Sequence, residues 1–207
     1  MRMKFKPWAK EYVQTNREIF VQDNEHLEEY LDGAKIVHLE LGSGKGRFIH
    51  TIAKNNPGIK YIGIERFDSV IVRALEKVIE EPLDNLMLLR TDASDLRQIF
   101  MNKSIDRIYL NFSDPWPKDR HAKRRLTHKI FLDIYKDLLK ENSELHFKTD
   151  NKELFEFSVL ELKNYPMNLT YIERDLHNSD FKDNIMTEFE EKFSKQGNKI
   201  QKLTAKF

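Results

Sequence analysis

Lys35-Ile-Val-His-Leu-Glu-Leu-Gly-Ser-Gly-Lys-Gly46 is the stretch from which the rest of the chain can be read. Its first seven residues include Ile36, Val37, Leu39 and Leu41, the length and composition of a buried strand. Three of the seven glycines, Gly42, Gly44 and Gly46, then fall within five residues. Residues 47–56 follow as a helix that stops at Pro57-Gly58. Working outward, 60–65 reads as a second strand, followed by a helix in which Ile71, Leu75 and Val78 recur at helical spacing and which Asp68 is placed to cap. Strands at 85–90, 105–112 and 143–149 alternate with a short helix after Thr91-Asp92 and a longer one over 127–140. Beyond residue 150 come a helix (152–163), a strand (168–174), a helix (186–195) and a last strand (199–206). The expected architecture is doubly wound α/β: a mostly parallel seven-stranded sheet with helices on both faces and an antiparallel strand at the edge near the C-terminus.

The 207 residues suit one domain, expected over 31–207 behind a basic N-terminal extension with a helix (1–30). Fourteen Phe and seven Tyr argue against disorder, and the lack of Cys excludes disulfides, zinc–thiolate sites and thiol nucleophiles. The N-terminus is basic without the apolar core of a signal peptide, and no run approaches the roughly 18 apolar residues of a membrane span. A cytoplasmic protein that does not enter membranes is expected. The net charge of +1 conceals segregation. Residues 1–10 hold four basic residues and no acid, 118–129 six and one acid, and 192–207 five and none. Basic segments on an otherwise acidic body suggest a track for a polyanion.

In a doubly wound sheet, ligands sit outside the carboxyl ends of the strands. Those ends carry Glu40, Glu65, Asp92, Asp114 and Asp150 in succession. One acid there is usually a loop residue or a cap, but five converge on one crevice. The spacing Gly42-x-Gly44-x-Gly46 differs from the G-x-G-x-x-G of dinucleotide sites, and no P-loop motif occurs. Glu40 would repel a pyrophosphate. It suits a ligand bearing an ammonium and a sulfonium, S-adenosylmethionine. Glu65 is then the partner expected for the ribose hydroxyls, and Asp92 for the adenine amino group.

The fourth strand leads into Asn111-Phe-Ser-Asp-Pro-Trp-Pro-Lys-Asp-Arg-His-Ala-Lys-Arg-Arg-Leu126. Pro115 and Pro117 restrict the backbone around Trp116, which is either a packing residue or a base-stacking platform. This block resembles the DPWPKxRHxKRRL signature of the bacterial tRNA (guanine-N7-)-methyltransferase family. The resemblance extends to Glu40–Gly46, Glu65, Thr91-Asp92, Lys148–Asn151 and Thr187–Glu190, so it covers about residues 35–195. Asp119 stands where the family is often basic.

The resemblance implies the Rossmann-like fold of S-adenosylmethionine-dependent methyltransferases, with Glu40, Gly42, Gly44, Gly46, Glu65, Asp92 and Asp114 at the cofactor. It implies methyl transfer to N7 of the variable-loop guanine at tRNA position 46, by direct in-line attack of N7 on the sulfonium methyl. Asp114 is expected at the catalytic mouth and Asp150 on the base, although these two roles can be exchanged. Lys118 and Thr187, Glu188, Phe189 and Glu190 would hold the substrate, and Arg120, His121, Lys123, Arg124 and Arg125 the RNA backbone. The basic termini would extend that track. No metal is needed, because N7 carries a lone pair and no proton. No obligatory protein partner is expected; the enzyme would be a monomer or a homodimer. His38, His50 and His146 read as core or strand residues. The rivals are a methyltransferase acting on small molecules or proteins, which needs no basic block, and a non-catalytic RNA-binding module, which needs no carboxylates at 40, 65 and 92.

Overall fold

The computed structural model describes residues 7–16, 19 and 24–207. The expected basic residues Arg2, Lys4 and Lys6 lie outside the described residues. Helices α1 (Ala9–Thr15) and α2 (Asn24–Leu31) precede the alternating body. That body runs β1 (Val37–Leu41), α3 (Arg47–Asn55), β2 (Lys60–Ile64), α4 (Asp68–Glu80), β3 (Leu86–Leu89), α5 (Leu96–Ile99) and β4 (Ile105–Asn111). It continues with α6 (Lys129–Leu138), β5 (Leu139–Thr149), α7 (Lys152–Asn164), β6 (Asn168–Glu173), α8 (Glu188–Lys195) and β7 (Gln201–Lys206).

The seven strands form one sheet in the order β3-β2-β1-β4-β5-β7-β6. The first five are parallel, while β7 runs antiparallel to both β5 and β6. The antiparallel arrangement expected at the edge near the C-terminus is formed by β7 with β6, β6 taking the outermost place. β5 begins four residues before the expected 143, because Leu139 already pairs with Ile105 ahead of a register shift.

Alternation along the strands separates two unlike faces. Leu39, Leu41, Ile62, Ile64, Ile108, Leu110, Leu145 and Phe147 pack against Leu132, Tyr135 and Leu138 of α6 and Phe155 and Leu162 of α7. Full burial of each large side chain there contributes about 1.5–3 kcal/mol. The opposite face carries Tyr61, Leu86, Leu88 and Tyr109, which pack against α3 and α4 through Phe48, Ile49, Ile71 and Leu75. His38 lies on that face too, with its ring edge-on to Tyr61 and Tyr109 at 5.3 and 5.8 Å. The same alternation places Glu40 there, two residues on.

The cap expected at Asp68 is instead position 67: Phe67 is the N-cap and provides no side-chain bond. Asp68 is the first helical residue, 3.3 Å from Arg90, where its charge still complements the helix dipole.

Candidate cofactor and substrate crevice

The glycine loop is bent by hydrogen bonds onto β2. Gly42 and Ser43 N–H both donate to Ile64 O, at 2.8 and 2.9 Å, and Gly46 N–H closes the loop on Ser43 O. Gly42, Gly44 and Gly46 all have positive φ, from 60° to 81°. At Gly46 a Cβ would meet Ala74 Cβ at 2.7 Å and Cα at 2.9 Å, so only glycine lets α3 lie this close to α4.

Glu40 is fully buried. Its Oε1 accepts from Asn111 Nδ2 at 2.8 Å, and its Oε2 has no hydrogen-bond partner among the described residues. Burial pushes its carboxyl up to about 8, against the Asn111 hydrogen bond and the Lys148 charge. Glu65 is buried at the end of β2 and accepts from the amides of Arg66 (2.9 Å), Phe67 (3.2 Å) and Gly44. Burial raises its carboxyl although these bonds oppose the rise. Asp92 differs. Its Oδ1 caps a 3₁₀ turn through Ser94 N–H (3.0 Å) and Oγ (2.9 Å), while Oδ2 accepts from Arg66 at 3.2 Å. Burial opposes these donors, but together they hold its carboxyl below the usual value.

A narrow crevice opens beside the glycine loop. Glu40, Gly42, Ser43, Gly44, Lys45 and Phe48 line one side, Asn111 and Phe112 from the end of β4 another, and Thr187, Glu188 and Phe189 the third. The structure thus brings Glu40 and two of the loop glycines together with a segment almost 150 residues away in sequence. Glu65, Asp92, Asp114 and Asp150 lie outside this lining.

Asp114 is exposed, two residues beyond Phe112. The loop that carries it stores backbone strain: Phe112 has φ 53° and Trp116 φ 42°. Arg125 holds that loop. It is buried and donates to Pro115 O at 3.1 Å and Trp116 O at 3.0 Å, with its guanidinium 4.3 Å from the Phe157 ring. Expected on the RNA backbone, Arg125 is turned inward instead, because two loop carbonyls need a donor. Lys118, Arg120, Lys123 and Arg124 are exposed on or beside the 3₁₀ segment Asp119–Arg124. Trp116 is half-buried, with Arg124 4.8 Å from its ring and His121 edge-on at 5.8 Å. Asp150 Oδ2 accepts from Asn198 Nδ2 at 3.0 Å.

Thr187 and Glu190 have structural partners that the sequence did not reveal. Thr187 Oγ1 caps α8 by accepting from Glu190 N–H at 3.0 Å. Glu190 is fully buried, 2.5 Å from Lys148 Nζ, and accepts from His177 Nε2 (2.8 Å) and Asn184 Nδ2 (2.6 Å). Lys148 Nζ also donates to Asn184 Oδ1 and Ile185 O, both at 2.9 Å. Glu190, expected on the substrate, therefore anchors α8 from within. Sequence reasoning assigned no role to Asn111, Lys148, His177 or Asn184. Asn111 and Lys148 left one signal, a polar residue at the buried end of a largely apolar strand.

Three of the five C-terminal lysines pair with acids of the chain, although Lys195 and Lys199 stay exposed. Lys195 pairs with Glu191 at 2.6 Å, Lys199 with Asp175 at 2.9 Å and Lys206 with Glu144 at 3.4 Å. Among the described residues, no group of three or more His, Asp or Glu could hold a metal ion, and no helix is long and apolar enough to cross a membrane.

The residues fit S-adenosylmethionine. A buried carboxylate oxygen without a partner awaits a cation, and the glycine loop leaves the backbone open to a ligand. The sheet order, the glycine loop and the acidic strand ends define an S-adenosylmethionine-dependent methyltransferase. The Methyltransf_4 methyltransferase family, that of the tRNA guanine-N7 methyltransferase, matches residues 34–203, and the chain belongs to it. Solved structures share the fold at low identity. "Structure of an Antibiotic Related Methyltransferase" has a TM-score of 0.66 at 20% identity, over 90% of this chain and 94% of that one. A SAM-dependent methyltransferase from Aquifex aeolicus has 0.57 at 19%, over 98% of each. A mutant 16S rRNA adenine methyltransferase from Catenulisporales acidiphilia, with cosubstrate SAM, has 0.62 at 13%, over 89% and 91%.

Proposed function

We propose that this protein methylates N7 of the variable-loop guanine at tRNA position 46, in the cytoplasm, as a monomer or homodimer with no obligatory protein partner. The catalytic domain is residues 31–207, and residues 1–30 are an extension that adds to the RNA-binding surface. The observation that carries the reading is the exposed basic run Lys118, Arg120, Lys123 and Arg124, which follows directly from the β4 loop that walls the crevice. A methyltransferase for small molecules has no use for such a run.

S-adenosylmethionine, when bound, supplies an electrophilic methyl group on a positively charged sulfur. Glu40 and the loop Gly42–Gly46 hold its amino-acid end, Glu65 its ribose and Asp92 its adenine. Guanine N7 needs no general base, so the task of the protein is alignment, which corresponds to at most roughly 7–11 kcal/mol. Asp114, just outside the crevice, stabilises the positive charge that builds on the purine. Asp150 accepts from guanine N1–H and the exocyclic amine, a pairing adenine cannot return. Phe189, half-exposed over the crevice, and the Thr187–Glu188 turn close on the substrate side. Arg120, His121, Lys123 and Arg124 orient the RNA through its phosphates.

The test is incubation of purified protein and methyl-labelled S-adenosylmethionine with unmodified tRNA and, in parallel, with ribosomal RNA, followed by mapping of the labelled nucleotide. Label at N7 of the variable-loop guanine is expected. Label in ribosomal RNA, the substrate class named for several structural neighbours, would keep the cofactor and overturn the substrate. Binding of tRNA without transfer would favour a binding module.

A further inference from the structure

We propose that Glu188, the first residue of α8, joins Glu40 and Ser43 in seating the ammonium at the amino-acid end of S-adenosylmethionine. This rests on the cofactor assignment above, and it moves Glu188 from the substrate to the cofactor. Glu40 Oε2, Ser43 Oγ and Glu188 Oε1 are all buried, have no hydrogen-bond partner among the described residues, and belong to residues lining the same crevice. Leaving one such atom unpaired costs about 1–3 kcal/mol, and more for a charged group, so three together imply a missing donor.

Among the described residues, no cation fills that place. Lys148 is committed to Glu190, Asn184 and Ile185. Lys77 comes only to 3.8 Å of Glu188 Oε1. Lys45 lines the crevice but is exposed, and no ion pair joins it to either carboxylate. A primary ammonium offers three N–H donors and one positive charge, matching three acceptors of which two are carboxylates. A sulfonium offers charge but no N–H, so it would leave all three acceptors unsatisfied.

The charges around Glu40 support the same conclusion. It faces Asn111 from β4, Lys148 from β5, Glu65 from β2 and Glu188 from α8, and the two neighbouring carboxylates raise its pKa further after burial. A carboxyl pushed up to about 8 is mostly protonated at pH 7 and ionises when an ammonium arrives. Ligand binding at pH 7 then releases close to one proton.

The experiment is isothermal titration calorimetry of the full chain with S-adenosylhomocysteine and with its analogue lacking the amino group, in two buffers of different ionisation enthalpy. Wild type should prefer the amino ligand at least about tenfold and release a proton with it alone. Glu188→Gln should weaken the amino ligand about tenfold and leave the desamino ligand within about twofold. Glu188→Asp, which keeps the charge on a shorter arm, should fall between. Equal losses for both ligands, or no loss in either variant, overturn the proposal. Unchanged cofactor affinity with a raised KM for RNA returns Glu188 to the substrate. A wild-type protein that binds neither ligand removes the cofactor assignment itself.

Discussion

Gly46 and Arg125 show how differently single residues reveal themselves. Gly46 is legible in sequence as part of a glycine loop, but its reason is not. It combines a φ of 81° with Ala74 at van der Waals limits. Gly46→Ala should destabilise the protein by about 2–4 kcal/mol, from left-handed strain plus overpacking against α4. The urea unfolding midpoint measures this, and a loss under 1 kcal/mol would mean the α3–α4 contact relaxes freely. Arg125 reads as one more cation in a basic run. Only the fold shows that its guanidinium is taken by two carbonyls of the strained Trp116 loop.

At the scale of elements, α8 is the informative case. Thr187-x-x-Glu190 has the pattern of a capping box, and Thr187 does cap the helix. Glu190 instead turns to Lys148, His177 and Asn184, fastening α8 and the segment before it to the end of β5. Lys148→Met should cost about 3–5 kcal/mol at pH 7, because it leaves a buried carboxylate with too few donors. Urea titrations should show this, with faster proteolysis between 176 and 195. Burial opposes ionisation of Glu190, but Lys148, His177 and Asn184 outweigh it and hold its carboxyl below the usual value. Its contribution is therefore complete at neutral pH and is lost as pH falls through that depressed value. The deficit of Lys148→Met should accordingly narrow as pH falls below the usual carboxylate value. A constant deficit would show that packing of the lysine stem, and not charge, is what matters.

On the scale of the whole molecule, the central and C-terminal basic segments differ in how their cations are partnered. The C-terminal lysines at 195, 199 and 206 pair with Glu191, Asp175 and Glu144, Lys195 and Lys199 remaining exposed, whereas no ion pair to a described residue ties the exposed Lys118, Arg120, Lys123 and Arg124. Lys123→Glu with Arg124→Glu should weaken tRNA binding and lower the slope of log affinity against log salt by about 1.4–1.8, for two lost phosphate contacts. An unchanged slope would move the RNA to another face. The same pair of substitutions should leave S-adenosylhomocysteine binding unaltered, since neither residue lines the crevice.

By itself the sequence determined the alternation of strands and helices, the glycine loop, the order of acidic strand ends and the central motif. These are written in local periodicity, in turn chemistry and in residues adjacent along the chain. The tertiary structure decided that β7 inserts between β5 and β6, that Arg125 and Glu190 are internal, and that Glu188 meets Glu40 across one crevice. Whether a charged side chain faces solvent, ligand or another buried charge depends on what distant segments bring beside it. No spacing along the chain encodes that.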